Sequence, residues 1–536
     1  MLSKLSMNMA GSTGRFLLGA LVVLVVIRFV IVLKLPLLIL VAEAHDDALY
    51  IRLGESLAAG HWLGPYDKFT LMREPGYSAF LALSSWSGLP VSVTHALVQI
   101  AATAVTSIAV FRLSGSRAFA AFTFIVLLLC PAGLTPEIQR IVRDQIYWPQ
   151  TLVLFSLGAI LLLAPPSCRA SRIGLAIAAG LLLGWMWLTR EEGVWLLPGL
   201  GLLAAAAIFA SRQAQGECLR LLRDMGIVAF AFLAVYGAFL AANRIAYGSF
   251  AGVDFKERNF VAAVGALQSV EVGPVVPYVP VPLAVRNAVA KVSPTFAPLS
   301  VPLAPGGDLF GWSEPGCRMI QSTCGDIAGG WFVFALRDAA AANGFYRSPD
   351  VAAESYARLV EEVAAACADG RLQCHHLWVP YMPRFEAAQW RALPRAVVTV
   401  AAKVSLFSPP KLSPPHSMLE DARLAEYWSF LNFPRIYRID QSQSDTVVHG
   451  WFYDRQSTEW PELKAYTADG REIPARVTRL PSPDIQRHFS DDRAGTNRYK
   501  ITFPCPQVCA QSRRIKERSA SSPIATTCLL PRTALR

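Results

Sequence analysis

The sequence lacks the short motifs by which many soluble enzymes are identified. It contains no phosphate-binding loop, no HExxH zinc-protease motif, no nucleophile elbow and no glycine-rich dinucleotide fingerprint. It also contains no internal repeat. These absences exclude the reaction classes that such a motif would indicate, so function has to be argued from composition and from the placement of charge.

Charged residues are scarce as well: Asp, Glu, Lys and Arg make up 17% of the chain, and hydrophobic residues make up 53%. Several apolar runs in the first half reach the roughly 20 residues that a spanning helix needs. The pattern therefore predicts an α-helical polytopic membrane protein. The net charge of +11 would suggest nucleic acid in a soluble protein. Here the basic residues collect in short loops between apolar runs, which is the positive-inside pattern, and no nucleic-acid partner is expected.

The apolar runs and basic loops together predict seven spans, with residues 1–15 in the cytoplasm and the C-terminal region outside. The first run is too long for a signal peptide and lacks a small-residue cleavage site, so it is interpreted as an uncleaved span. Arg28 and Lys34 within it either extend to the membrane surface or face the protein interior. The predicted spans cover residues 16–41, 92–112, 118–134, 148–164, 173–189, 194–210 and 225–243.

The character of the chain changes at residue 250, which ends a predicted transmembrane domain over 16–249 with its first outer loop at 42–75. The outer region that follows, 250–436, is predicted to be helical and extended. Its proline-rich stretch 271–305 is expected to be extended, whereas 395–408 is predicted to be a surface helix, with an eighth span as the alternative. Strand-like alternation predicts a small β-rich domain over 437–508. Residues 509–536 lose all periodicity and are expected to be disordered.

Two helices of the outer region carry recognisable end signals. One is predicted over 327–343, where Asn343 and Gly344 follow its last turn. The other begins with Ser348 as N-cap and Pro349 at its first position, and it ends near Gly370.

Four cysteines of the outer region form two pairs with six residues between the members of each pair. A location outside the membrane is oxidising in most cells, so two local disulfides are predicted, Cys317 with Cys324 and Cys367 with Cys374. The sequence Cys374-His375-His376 also allows a metal site. Structural zinc ligands, however, usually lie two to four residues apart, which favours the disulfide.

Ionisable residues collect in the three predicted outer loops. Carboxylates and arginines at one membrane face suit a reaction on a phosphorylated lipid, because arginine matches phosphate geometry and a carboxylate can act as base. The alternative is that these are ordinary solvated loop charges. The residues concerned are Asp46, Asp47, Arg73 and Glu74 in the first loop, Arg140, Arg143 and Asp144 in the second, and Arg190, Glu191 and Glu192 in the third.

Residues 10–250 resemble the polytopic glycosyltransferases of the GT-C fold, which include the protein mannosyltransferases and the lipid A aminoarabinose transferases. The resemblance lies in the acidic pair after the first span, the aromatic-bearing loop and the sequence Glu74-Pro75-Gly76-Tyr77 before an apolar piece. It implies transfer of a sugar from a polyprenyl-phosphate donor to a lipid, glycan or protein acceptor at the outer face. It also implies a multi-pass protein of the bacterial inner membrane.

The resemblance assigns roles to individual residues. Asp46 or Asp47 corresponds to the general base and Glu74 to a second catalytic acid, although this chain has Arg73-Glu74-Pro75 where the aminoarabinose transferases have Glu-Lys-Pro. Arg73, Arg143 and Arg190 correspond to residues that bind the donor phosphate. Asp144, Tyr147 and Glu191 correspond to further outer-loop positions of the site.

Two other functions compete with a glycosyltransferase. A transporter or lipid flippase usually carries ionisable residues or broken helices at mid-membrane in related halves, and the spans from the second to the sixth lack both. A non-catalytic envelope protein would use the β-rich domain to bind glycan. The cofactor stays open, with a divalent metal ion on Asp46 and Asp47 as the candidate.

Overall fold

A computed structural model shows a mostly helical chain. The residues that it describes are 12–35, 37, 39, 45–130, 140–211, 217–305, 311–375, 387–405, 426–427, 429–432, 446–451, 463–466, 472–473, 476–480, 498–503 and 514–517. In chain order the helices are α1 (Ser12–Lys34), α2 (Asp47–Ala58), α3 (Gly76–Ser87), α4 (Val91–Ser114), α5 (Arg117–Leu128), α6 (Asp144–Leu163), α7 (Arg169–Trp187), α8 (Leu197–Ser211), α9 (Glu217–Tyr247), α10 (Arg258–Ser269), α11 (Leu283–Val292), α12 (Ala297–Ser300), α13 (Ser313–Met319), α14 (Trp331–Ala342), α15 (Pro349–Ala368) and α16 (Ala387–Ser405).

Among the residues that the structure describes, four helices are long and apolar enough to cross a membrane, which indicates a membrane protein. They are α4, α6, α7 and the stretch Leu219–Tyr247 of α9, and they correspond to the second, fourth, fifth and seventh predicted spans. Helix α5 and the stretch Gly193–Phe209 are apolar but shorter. The count of seven spans stays a prediction.

The two basic residues of α1 take different positions. Arg28 is 3% exposed and donates from Nη2 to the Gln99 Oε1 on α4 at 2.6 Å. Gln99 in turn donates to Gln145 Oε1 on α6 at 3.4 Å. Arg28 thus faces the protein interior, where the amides offset the cost of its burial. Lys34 is exposed at the last turn of the helix, which agrees with a lysine that extends to the membrane surface.

Small residues explain how α7 packs against α9. Gly180 and Gly184 lie one helical turn apart on α7, in the small-xxx-small pattern common in membrane helix pairs. A methyl group on Gly180 would overlap Val228 and Ala231 of α9, and one on Gly184 would overlap Val235. The backbone of α7 therefore packs directly against residues of α9, and the two glycine positions have no room for a larger residue.

The helices of the outer region share a hydrophobic core that includes Phe260, Val289, Leu336 and Leu359. The predicted start and end of α15 are both found. Ser348 Oγ accepts from Val351 N at 3.2 Å at the start, and Gly370 after the last turn has a positive φ of 78°. The two disulfides, Cys317–Cys324 and Cys367–Cys374, are confirmed.

The prediction that 271–305 is extended throughout was wrong for part of this stretch. Pro282 is the residue before α11, and Val285 and Val289 of that helix are buried. Pro282 directly precedes the helix, where a missing N–H costs nothing. No proline lies within Leu283–Val292, and the apolar residues there recur with helical spacing.

The chain divides into two compact units, residues 1–416 and 417–536. The described residues of the second unit form six short strands in two antiparallel sheets of three, with strand orders β1-β5-β4 and β3-β2-β6. The strands are β1 (Thr446–Trp451), β2 (Leu463–Tyr466), β3 (Glu472–Ile473), β4 (Arg476–Leu480), β5 (Arg498–Phe503) and β6 (Arg514–Glu517). A β-rich domain over 437–508 stays a prediction, since the structure describes only these strands of it. Strand β6 falls within 509–536 and pairs with β2.

A buried ion pair attaches the loop before α3 to the helices that follow residue 250. Arg337 of α14 pairs with Asp254 and donates to the carbonyl oxygen of Lys68 at 2.5 Å. Asp254 donates its backbone N–H to the Leu71 carbonyl oxygen at 2.9 Å. Burial raises the pKa of the Asp254 carboxyl, and Arg337 opposes that rise. The pair therefore joins three separate segments at one point.

Candidate active site

The acidic pair of the first loop lies at the start of α2. Asp46 precedes the helix and Asp47 is its first residue, so both carboxylates lie where the helix dipole favours negative charge. Helix α2 packs against α3, whose first residue Gly76 follows the Arg73-Glu74-Pro75 sequence. The two ends of the first loop are thereby brought together.

Asp47 is fully buried and is held by an arginine of the second outer loop. Arg140 donates from Nε to Asp47 Oδ2 at 2.7 Å, and its Nη2 lies 2.5 Å from the same oxygen. Such a two-nitrogen contact fixes a guanidinium strongly, and the geometry makes Asp47 a residue that positions Arg140.

Asp46 has 36% of its side chain exposed and lies between two arginines. Arg73 Nη2 donates to Asp46 Oδ1 at 3.1 Å, and Arg140 Nη2 lies 3.7 Å from Oδ2. Arg73 is itself held over the ring of Phe334, 5.3 Å from its centroid. Of the acidic pair, Asp46 is the carboxylate that solvent can reach.

Glu74 is 1% exposed and forms an ion pair with Lys256, which the sequence did not single out. Lys256 Nζ lies 2.6 Å from Glu74 Oε1 and 4.4 Å from the centroid of the Trp187 ring. It also donates to the Trp187 carbonyl oxygen at 3.4 Å. Lys256 follows the last membrane-length helix. Its positive charge is the one feature of the sequence that could have identified it as a site residue.

A further ion pair joins the second and third predicted outer loops. Arg190 pairs with Asp144, the first residue of α6, and its guanidinium lies 5.3 Å from the centroid of the Tyr147 ring. Arg143, just before α6, is buried. Glu191 begins a 3-10 helix (Glu191–Leu196), and its side chain lies outside the described part of the structure.

Helix α3 connects the first loop with the end of α7. Gly76 donates its N–H to the Leu188 carbonyl oxygen at 2.5 Å, and a methyl group at Gly76 would overlap that carbonyl. The third loop therefore contacts the first directly. Burial, and then the negative charges of Asp47 and Asp144, raise the pKa of Tyr77 well above its usual value. Both carboxylates thus lie near the start of α3.

Two cavities lie elsewhere, and neither is lined by any of the predicted site residues. The larger, about 750 Å³, lies between the first loop and the ends of α9 and α15 and includes Trp62, Tyr247 and Arg347. The smaller, about 270 Å³, includes Asp254 and Tyr356. The carboxylates of the candidate site instead lie at or just before the starts of α2, α3 and α6.

The described residues offer no group of three His, Cys, Asp or Glu side chains placed to hold a metal ion. Both carboxylates of the acidic pair contact arginine, so their oxygens do not form a ligand set. At the other candidate metal site, Cys374 is in a disulfide, and His376 lies outside the described residues.

Comparisons of the chain with protein-family models, with curated proteins and with solved structures find no match.

Proposed function

We propose that the chain is a membrane glycosyltransferase that takes a sugar from a polyprenyl-phosphate donor and transfers it to an acceptor hydroxyl or amine. The observation that carries the proposal is Asp46, a partly exposed carboxylate between Arg73 and Arg140, in a chain with four membrane-length helices. A base and phosphate-binding cations are the groups that such a transfer needs.

In the proposed step, the Asp46 carboxylate accepts the proton of the acceptor hydroxyl as the hydroxyl oxygen attacks the anomeric carbon. The bond between that carbon and the phosphate oxygen breaks, and the phosphate leaves with the electron pair as polyprenyl phosphate. The donor phosphate competes with Asp46 for the guanidinium groups of Arg73 and Arg140. Binding of the donor would therefore release Asp46 to act as base.

Arg190 and Lys256 are the proposed further phosphate ligands. Arg190 is held by Asp144 and by the Tyr147 ring, and Lys256 by Glu74 and Trp187, so both cations are oriented before a donor binds. Because Glu74 is buried, we assign it to the positioning of Lys256 and not to proton transfer. Arg143 is also buried, and we assign it a supporting role and not a phosphate contact.

The proposal includes seven spans in a bacterial inner membrane, with the outer region and a β-rich domain outside. Six further helices or apolar stretches besides α1 support this arrangement. The β-rich domain would be accessory to the transfer.

The test is transfer of label from donor to acceptor. Membranes that contain the chain receive polyprenyl-phosphate hexoses and pentoses labelled in the sugar. We expect label in lipid, glycan or protein together with an equal amount of released polyprenyl phosphate, and neither in membranes without the chain. If intact donor crosses sealed vesicles and no polyprenyl phosphate is released, the chain is a transporter and the proposal is wrong.

Lys256→Met is expected to raise the KM for the donor by about 10- to 100-fold, the usual effect of removing one charge-assisted hydrogen bond. The single change leaves Glu74 buried without its lysine and could disturb folding. The variant Lys256→Met with Glu74→Gln removes both charges and serves as the control for that effect. A double variant with the wild-type donor KM would contradict a phosphate contact by Lys256.

A further inference from the structure

Helix α16 has a continuous apolar stripe. Trp390, Leu393, Val397 and Val400 recur at spacings of three and four residues, which places them on one face of the helix. Their side chains are 60%, 40%, 57% and 59% exposed. An exposed apolar stripe of this size is typical of a surface that binds an apolar partner or phase.

The opposite face of α16 is polar and of one charge sign. Arg391, Arg395 and Thr399 alternate with alanines there, and Lys403 continues the same arc in the sequence. The helix contains no acidic residue. One face of the helix is therefore complementary to an anionic surface. The other face, over the same length, is complementary to an apolar surface.

Of the surfaces available to this chain, a membrane with anionic lipids offers both properties together. Basic amphipathic helices lie in the interface with the apolar face in the acyl boundary and the basic face among the headgroups. Tryptophan is enriched at that depth. The four membrane-length helices of the same chain keep a bilayer within reach of every molecule.

We propose that α16 binds the membrane surface and lies in its plane. A spanning orientation would put the arginines of the polar face into hydrocarbon at considerable cost, which excludes the eighth span that the sequence left open. The proposal is independent of the sugar-transfer reaction. It gives the outer region a second attachment to the membrane besides the chain connection through α9.

The depth of individual positions tests the proposal. The full chain is reconstituted in nanodiscs of phosphatidylcholine and phosphatidylglycerol, with a polarity-sensitive fluorescent amino acid at position 397 or, in a matched protein, at 399. Lipids brominated in the acyl chain should quench the probe at 397 and leave the probe at 399 unquenched. Equal quenching at the two positions, or none at either, would overturn the proposal. A blue-shifted probe at 397 that bromine does not quench would show a protein partner and would also overturn it.

The charge contribution has its own variants. In anionic nanodiscs, Arg391→Gln and Arg395→Gln should each lower the ratio of membrane-bound to unbound helix α16 by about fivefold. This is the effect expected for one basic residue at an anionic surface. Val397→Glu should abolish quenching of a probe at 393, and Thr399→Glu, on the polar face, should retain most of it. If both glutamate variants behave alike, the helix has no membrane-facing side and the proposal is wrong.

Discussion

Asp46→Asn is expected to lower sugar transfer at least about 100-fold, the smaller end of the range for loss of a general base. Asparagine has nearly the same shape, and its one amide oxygen can still accept the hydrogen bond from Arg73, but the amide cannot take the acceptor proton. The loss should therefore fall on kcat. The donor KM should not rise, because the donor phosphate no longer competes with a carboxylate for Arg73 and Arg140. Transfer of labelled sugar in membranes with equal amounts of each variant measures both constants.

Asp47→Asn is the informative partner of that variant. Asp47 is fully buried and meets Arg140, so its replacement should loosen Arg140 and raise the donor KM, with a smaller loss of kcat. Asp369→Asn is the matched control, because Asp369 also pairs with an arginine, Arg371, but is exposed on the outer region. If Asp47→Asn abolishes transfer while Asp46→Asn retains it, the base is Asp47 and the assignment is wrong. Wild-type activity in both variants would remove the pair from catalysis.

Features set by local sequence could be predicted, and α15 is the clearest case. Ser348, Pro349 and Gly370 determine where that helix begins and ends through backbone geometry alone, without help from the rest of the chain. Cys367 and Cys374 are close in the chain, so their pairing also needed no long-range information. The membrane-length helices were predictable for a related reason, since their length and apolar character belong to single segments.

Features set by long-range contact could not be predicted. Glu74 was expected to be catalytic, and nothing near it in sequence indicated that Lys256, from beyond the last membrane-length helix, would lie 2.6 Å away. The acidic pair shows the same limit: Asp46 and Asp47 are adjacent and chemically identical, but one is partly exposed and the other is fully buried. Their difference depends on Arg140 in another loop. A single sequence records residue types and spacing, whereas burial depends on what the fold places alongside.

The pair of Arg337 and Asp254 gives the second large effect, on stability. Arg337→Met is expected to lower the free energy of unfolding by about 3–5 kcal/mol, because it leaves the buried Asp254 carboxylate without its cation. It also removes the donor to the Lys68 carbonyl oxygen and the contact with the Tyr346 ring, which lies 4.9 Å from the guanidinium. Unfolding of the purified chain in detergent by guanidinium chloride, monitored by tryptophan fluorescence, measures the change.

Arg318→Met is the matched control, because Arg318 pairs with Glu314 one turn away and both side chains are mostly exposed. An exposed pair of this kind contributes at most about 1 kcal/mol. The double variant Arg337→Met with Asp254→Leu should recover part of the loss, since it removes the carboxylate that the single variant strands. Equal destabilisation by Arg337→Met and Arg318→Met would show that the buried pair does not hold the first outer loop. In that case the position of Asp46 would depend on Arg73 and Arg140 alone, and Arg337→Met would leave sugar transfer unchanged.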